Sequence, residues 1–357
     1  MDVTRRIGVI EDPRFQDHIE PTHHPEAAAR LVAVGKALEA WRQGRPGSLT
    51  ALTPSEASDD DILLIHTEDH LRTVKAAAAR GHGHLDADTF ISPASYDVAR
   101  LAAGSCVDLA MRIASGELDT GFAALRPPGH HAESGAAMGF CLFNSVAVAA
   151  RALQQHAGIE KILIFDWDVH HGNGSQHSFE SDPSILYMST HQFPFYPGTG
   201  AAGESGLGMG LGSTFNVPMP QGCGDFEYLG VMQHLIAPVA LEFDPDFILV
   251  SCGFDAHEAD PLGSMNITAN GFHAMTQIMQ EVAASACGGR IAYVLEGGYS
   301  AQGLIEGTTS VLAALSEPQP ESRLGSPLAI DAGSNLAAVV DAVSAVHSQN
   351  YTCIKSR

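Results

Sequence analysis

Asp168 and His170 stand two residues apart in DWDVHHGN (166–173), directly after the apolar run KILIF. In an extended chain alternate residues share a face, so both side chains can address one point. Asp255 closes a second apolar run, FILVSCGFD, and offers a third donor from a neighbouring loop. Two carboxylates and one imidazole, with a coordination position left for water, describe a catalytic zinc centre rather than a closed structural one. So hard a donor set also admits Fe(II). Either acid alone would read as a helix N-cap at a strand–helix junction. The three together, near paired histidines, favour the metal.

Hydrolysis at such a centre needs a base for the attacking water and an acid for the leaving amine. Imidazole serves both ends near neutral pH, and His130-His131 follow in RPPGHH (126–131). Pro127 and Pro128 stiffen the approach to this pair, while Gly129 lets backbone come close to a ligand. Asp166 is the carboxylate nearest in sequence to the metal strand that could accompany them. Tyr299 follows two glycines in EGGY (296–299), and an uncharged phenol can donate a hydrogen bond to a developing oxyanion. A lone histidine pair or tyrosine is more often packing. Each of these readings leans on the metal.

What must position these residues is a set of short, continuously apolar runs. RIGVI near residue 6, TGFAAL near 122, KILIFDWD at 161–168, SILYMST at 184–190, DFILVSCGFD at 246–255 and IAYVLEGGY at 291–299 suit strands covered on both faces. Helical patterns separate them: HPEAAARLVAVGKALEAW, VARLAAGSCVDLAMRIASG, NSVAVAARALQQHAG, YLGVMQHLIAPVALEF and ANGFHAMTQIMQEVAASA. The alternation predicts one α/β domain over 1–357, mainly a parallel sheet with helices on both faces. SEPQPESRLGSPLAI (316–330) reads as a loose surface segment before a final helix. Ligand chemistry in such a sheet belongs at the carboxyl ends of the strands. All the residues singled out above lie at those ends.

Composition narrows the field further. The 357 residues carry a formal charge of −22, which repels nucleic-acid phosphates and attracts cationic partners. No apolar stretch is long enough to cross a membrane, and the first residues lack a secretory pattern. The six cysteines are scattered without a C-x-x-C pair, so reduced thiols and a cytoplasmic setting are expected. The run 198–203 matches G-x-G-x-x-G, yet FPFYP precedes it and no helix pattern follows, so it reads as a loop. G-x-S-x-G, Walker and H-E-x-x-H motifs are missing from the sequence, which disfavours serine hydrolases, P-loop enzymes and zincin proteases.

Taken together, RPPGHHA, MGFC-x-FN, DWDVHHGNG, GFDAHEADPLG and LEGGY resemble the histone deacetylase superfamily, which includes acetylpolyamine and acetoin-utilisation deacetylases. The resemblance runs from HPE (24–26) to LEGGY (295–299). RPPGHHAE and Asn173 are similar to the class II branch and its bacterial amidohydrolases. It implies the arginase–deacetylase fold, with zinc on Asp168, His170 and Asp255. It further implies that His130 and His131 are the tandem catalytic histidines, with His131 the general base and Asp166 orienting His130. Asn173 stands where other members carry a second Asp, so His131 should have a weaker partner. Tyr299 matches the tyrosine that polarises the acyl carbonyl.

Gly139 and Phe140 match an acyl-lysine tunnel, with Tyr196 on the wall where Phe is usual. Asp88 aligns with a rim residue that holds substrate backbone. Asp166, Asp168, His170, Ser189 and Thr190 match a structural potassium site. The implied reaction is metal-assisted removal of acyl groups from lysine side chains of peptides or proteins, and a homo-oligomer is compatible with it. Acetylated polyamines are the alternative substrate, but Leu262 occupies the mouth position where polyamine-selective relatives place an acid. Glu258 and Asp260, nearby, are expected to be solvated loop acids. An arginase-like ureohydrolase needs D-x-H-x-D and D-x-D, whereas 168–172 reads DVHHG and 255–257 reads DAH. A non-catalytic acyl-lysine binding module would not need Tyr299.

Overall fold

The apolar runs form strands, and every pairing in the main sheet is parallel. The computed structural model describes residues 5–21, 23–317 and 322–354. Its strands are β1 (Ile7–Ile10), β2 (Leu49–Leu52), β3 (Gly83–His84), β4 (Phe90–Ile91), β5 (Thr120–Ala123), β6 (Ile162–Asp166), β7 (Ile185–Gln192), β8 (Thr214–Met219), β9 (Phe247–Cys252) and β10 (Ile291–Leu295). Eight of them make one sheet in the order β2-β1-β5-β10-β9-β6-β7-β8, and β3 with β4 form a small antiparallel pair. Every residue of β5, β6, β7, β9 and β10 is buried. Burial on both faces is why those strands read as largely apolar runs and not as alternations.

The covering helices are α1 (Ala29–Gly44), α2 (Asp59–Ile62), α3 (Glu68–Arg80), α4 (Ser95–Ala114), α5 (Ser145–His156) and α6 (Asn173–Phe179). They continue with α7 (Asp225–Val231), α8 (Ala237–Phe243), α9 (Ala269–Cys287), α10 (Ala301–Ser316) and α11 (Asn335–His347). Side-chain caps start several of them: Thr67 at α3, Asn144 at α5, Ser300 at α10 and Ser334 at α11. The helix expected over 228–243 is present and runs without a break from Asp225 to Phe243, but it is not α-helical throughout. A π-helical turn, Met232–Ile236, separates α7 from α8. Pro238 lies in the first turn of α8 and has no N–H to offer the carbonyl one turn earlier, so the ladder widens there.

Eight of these elements escaped the sequence reading: β2, β3, β4, β8, α2, α3, α6 and α10. β2 and β8 are the edge strands, the first half-exposed, the second interrupted by Asn216 and Pro218. α3 has a mostly polar surface and α10 is built largely from small residues. The segment expected to be loose, 316–330, lies partly outside the described residues. Beyond that gap it is tied down, with Leu328 N–H donating to Gln233 Oε1 at 2.8 Å and Gln233 Nε2 to the Arg323 carbonyl at 2.6 Å.

Register places the chemistry. Asp166 ends β6 opposite Ser189 of β7 and Ser251 of β9. The loops after β5, β6, β9 and β10 therefore leave the sheet side by side at its carboxyl end.

Candidate metal centre

The three donors singled out from spacing converge. One ligand atom each from Asp168, His170 and Asp255 lie within 4.8 Å of one another, and all three residues are buried. His170 Nδ1 is 3.2 Å from Asp168 Oδ1 and 3.1 Å from Asp255 Oδ2. Neither acid caps a helix; each is oriented by backbone. Asp168 Oδ2 accepts from Gly297 N–H at 2.8 Å, Asp168 Oδ1 from His170 N–H at 2.9 Å, and Asp255 Oδ1 from Val169 N–H at 2.8 Å. Gly297 has to be glycine, because a Cβ there would lie 2.1 Å from Asp255 Oδ2 and 2.5 Å from Asp168 Oδ2. Burial and the neighbouring Asp168 push Asp255 up to about 7. Crowding carboxylates in a dry cradle is unfavourable unless a cation joins them, so the donor set fits a divalent ion.

Two imidazoles lie against this cluster with opposite partners. His130 Nδ1 is 3.0 Å from Asp166 Oδ2, and its Nε2 lies 3.8 Å from Asp168 Oδ1. Burial alone would lower His130, yet Asp168 and Asp166 raise it to about 10. Asp166 is itself held by Tyr187 Oη, which donates to Oδ2 at 3.1 Å, while Asp168 N–H donates to Oδ1 at 3.1 Å. His131 Nδ1 faces Asn173 Oδ1 at 2.8 Å. An amide oxygen only accepts, so Nδ1 carries the hydrogen and Nε2 is left with its lone pair. Burial holds His131 well below its usual value, and the charges of His130 and His170 push it the same way.

A model of the histone deacetylase domain matches residues 24–315. The chain belongs to the histone deacetylase family. It is similar to histone deacetylase 15 of Arabidopsis thaliana, at 42% identity over 84% of this chain and 54% of that protein. The chain thus spans about half of the plant relative. A probable deacetylase of Archaeoglobus fulgidus is 37% identical over 98% of this chain and 99% of its own length. The crystal structure of the HDA15 HD domain superposes with a TM-score of 0.89 at 38% identity, covering 99% of this chain and 97% of that one. The fold expected from sequence, an arginase–deacetylase α/β domain, is the fold observed.

The other residues of the family pattern gather around the centre. Phe140 lies edge-on to Tyr299 at 5.9 Å between ring centroids, and Tyr196 edge-on to His131 at 5.1 Å. Gly139, with φ 58°, leaves no room for a side chain, since a Cβ would stand 2.4 Å from the His131 ring. Asp88 is half-buried on the same side, where Thr89 Oγ1 takes the Phe140 N–H at 3.1 Å. Ser189 and Thr190 are buried on β7, Ser189 directly opposite Asp166 in the sheet. Ser189 Oγ is 2.8 Å from His191 Nδ1, and Thr190 Oγ1 has no partner among the described residues. Leu262 is half-buried after the Asp255 loop.

One expectation is overturned. Asp260 is no solvated loop acid; it is 7% exposed, and its Oδ2 accepts the N–H groups of Tyr299 at 2.6 Å and Ser300 at 3.0 Å. Glu258 is exposed as expected.

The sequence reading also missed the residues that hold Tyr299 and the histidine loop. Arg30 stacks over the Tyr299 ring at 5.0 Å, donates to the Gly298 carbonyl at 2.7 Å and pairs with Glu26 at 2.9 Å. Glu296 accepts Gly129 N–H at 2.6 Å and His130 N–H at 3.2 Å. Phe195 stacks on His170 at 5.4 Å. A signal for the first existed in Glu26-x-x-x-Arg30, an i,i+4 charge pair inside an otherwise apolar pattern. Nothing in the spacing marked Phe195.

Proposed function

We propose that the protein is a zinc-dependent amidohydrolase that removes acetyl or other acyl groups from lysine side chains. The observation that carries this reading is the pairing of a buried Asp168–His170–Asp255 donor set with His131, whose Nδ1 faces the Asn173 amide oxygen at 2.8 Å and so leaves Nε2 to accept a proton. Zinc on those donors supplies Lewis acidity to an acyl carbonyl and makes water a stronger acid near neutral pH.

The remaining work falls to the chain. His131 Nε2 accepts the proton of the attacking water, and the same proton then passes to the departing lysine nitrogen. His130, hydrogen-bonded to Asp166 at 3.0 Å and 3.8 Å from Asp168, would lend positive character beside the carbon under attack. Burial keeps Tyr299 well above the usual phenol range. It stays protonated and donates to the oxygen on which negative charge develops. Phe140 and Tyr196 flank the aliphatic lysine stem. Potassium beneath the centre, on Asp166, Asp168, His170, Ser189 and Thr190, is supported by the unpartnered Thr190 Oγ1. An arginase-like second metal gains no support, because the described residues hold a single cluster of donors. Acetate release from acetyl-lysine peptides, measured with chelator and after zinc is restored, tests the reading. Turnover that survives complete removal of metal would overturn it.

A further inference from the structure

An aspartate opposite His131 would present two equivalent oxygens, whereas Asn173 presents two different ends. Only one orientation of the amide leaves His131 Nε2 free to accept a proton. With Oδ1 toward Nδ1, His131 holds its hydrogen on Nδ1; with the NH2 group there, Nδ1 must accept and the hydrogen moves to Nε2. Something must therefore choose the end.

On its far side Asn173 Nδ2 meets the carboxylate of Glu133 at Oε1. It also lies 3.2 Å from the His131 carbonyl and 3.3 Å from Met138 Sδ. Turning the amide over would press Oδ1 against that carboxylate and that carbonyl. Of the three acceptors only Glu133 is charged, and charge-assisted hydrogen bonds are about twice as strong as neutral ones. Glu133 is itself held in place. His177 Nδ1 donates to Oε1 at 2.8 Å, and His66 Nδ1 fixes the Glu133 carbonyl at 2.9 Å. The Glu133 bond also keeps His177 above its ordinary range.

We infer that Glu133 is a positioning residue that locks the Asn173 amide, and through it the tautomer of His131. The inference deepens the deacylase reading and rests on His131 being the base, although the lock itself is a property of the resting protein.

The test uses the full zinc-loaded chain and two readouts: the His131 tautomer from imidazole nitrogen shifts, and kcat/KM on an acetyl-lysine peptide. Wild type should carry the hydrogen on Nδ1. Glu133→Ala should mix the tautomers and lower kcat/KM about tenfold, the low end for an orienting partner because the His131 carbonyl remains as an acceptor. Glu133→Gln keeps an acceptor and should stay within about threefold of wild type. Asn173→Asp with Glu133 present sets two carboxylates together and should also lose about tenfold. The double change Glu133→Ala with Asn173→Asp should recover to within about threefold, because a carboxylate needs no lock. A merely structural Glu133 would give additive losses. The inference is overturned if Glu133→Ala leaves the hydrogen wholly on Nδ1, or if the double variant is no better than Glu133→Ala. Should wild type hydrolyse no acyl-lysine peptide, the deacylase reading fails, while the nitrogen shifts still decide the lock.

Discussion

Two populations of buried histidine share this molecule, and equal burial leaves their proton affinities shifted in opposite directions. At the carboxyl end of the sheet the charges of Asp166, Asp168 and Asp255 act against burial and raise His130 and His170 to about 10, until a metal ion takes up that charge and leaves His170 neutral as its ligand. Away from the metal donors, burial lowers His18 and His66 to about 3 and His191 to about 4. Proximity to a carboxylate is not enough to change population, for His18 Nε2 lies only 3.8 Å from Glu26. Glu26 is already committed to Arg126 at 2.7 Å and Arg30 at 2.9 Å, and despite burial these cations bring it down to about 2. What lifts a buried imidazole is negative charge that nothing else has neutralised. Such charge is concentrated around Asp168, and it draws a metal ion for the same reason. His131, one residue from His130, belongs to the neutral population because burial and the neighbouring His130 and His170 outweigh the hydrogen bond to its amide partner, Asn173.

The sharpest way to break this contrast is to dismantle the donor set that concentrates the unneutralised charge. Asp168→Ala and His170→Ala should each lose bound zinc and turnover together, since three donors are the minimum that holds the ion. Metal analysis beside the peptide assay checks this, and full occupancy with full turnover in either variant would refute the donor assignment. Tyr299→Phe touches neither population. It should keep zinc and fold while turnover falls about 10²–10³-fold, the scale of one lost oxyanion donor. A change of less than about threefold would make Tyr299 a packing residue. Asp166→Asn should move His130 toward the neutral population and lower turnover about 10–100-fold with zinc retained. Nitrogen shifts that still report a His130 cation in that variant would count against Asp166 as the cause.

The neutral population has its own signature, in stability. His18, His66 and His191 bind protons more weakly folded than unfolded, so the unfolded chain takes up more protons as the pH drops. Their contribution is complete above the ordinary histidine value near 6.5. It declines as the pH falls from there toward 3 or 4. Each adds a slope of up to about 1.4 kcal/mol per pH unit. Urea midpoints measured between pH 7 and 5.5 should fall with acidity. His66→Gln should be less stable at pH 7 and yet lose less on acidification. An unchanged slope would place His66 outside this population.

How much of this was legible before folding depended on periodicity and on motif. The central strands announced themselves because burial on both faces removes most polar interruptions, and the donors followed because they terminate those runs. β2 did not, since it is half-exposed, and β8 did not, since this buried edge strand carries Asn216 and Pro218, the latter tolerated at a sheet edge. Asp168, His170 and Asp255 were legible as a set, whereas Glu133, Glu296 and Arg30 act across gaps of 40, 167 and 268 residues. No spacing within one segment encodes such pairings. Asp260 was misread for a related reason: an acid in a loop is usually solvated, and only the fold shows two backbone N–H groups waiting for it.

That misreading bears on substrate choice, where the expected effect is smallest. A polyamine-selective pocket would present an acid to the distant ammonium of its substrate. Asp260 cannot serve, because its Oδ2 holds Tyr299 and Ser300 while its Oδ1 accepts Leu262 N–H at 3.0 Å. Glu258 is exposed, and a solvated ion pair there would contribute at most about 1 kcal/mol. Leu262 itself offers only apolar surface. Acyl-lysine peptides should accordingly show higher kcat/KM than acetylspermidine or acetylputrescine. Leu262→Glu should shift the ratio toward the polyamines by about fivefold, the ceiling set by one exposed pair. Parallel assays of both substrate classes decide it, and a tenfold wild-type preference for acetylpolyamines would reverse the assignment of substrate while leaving the metal centre untouched.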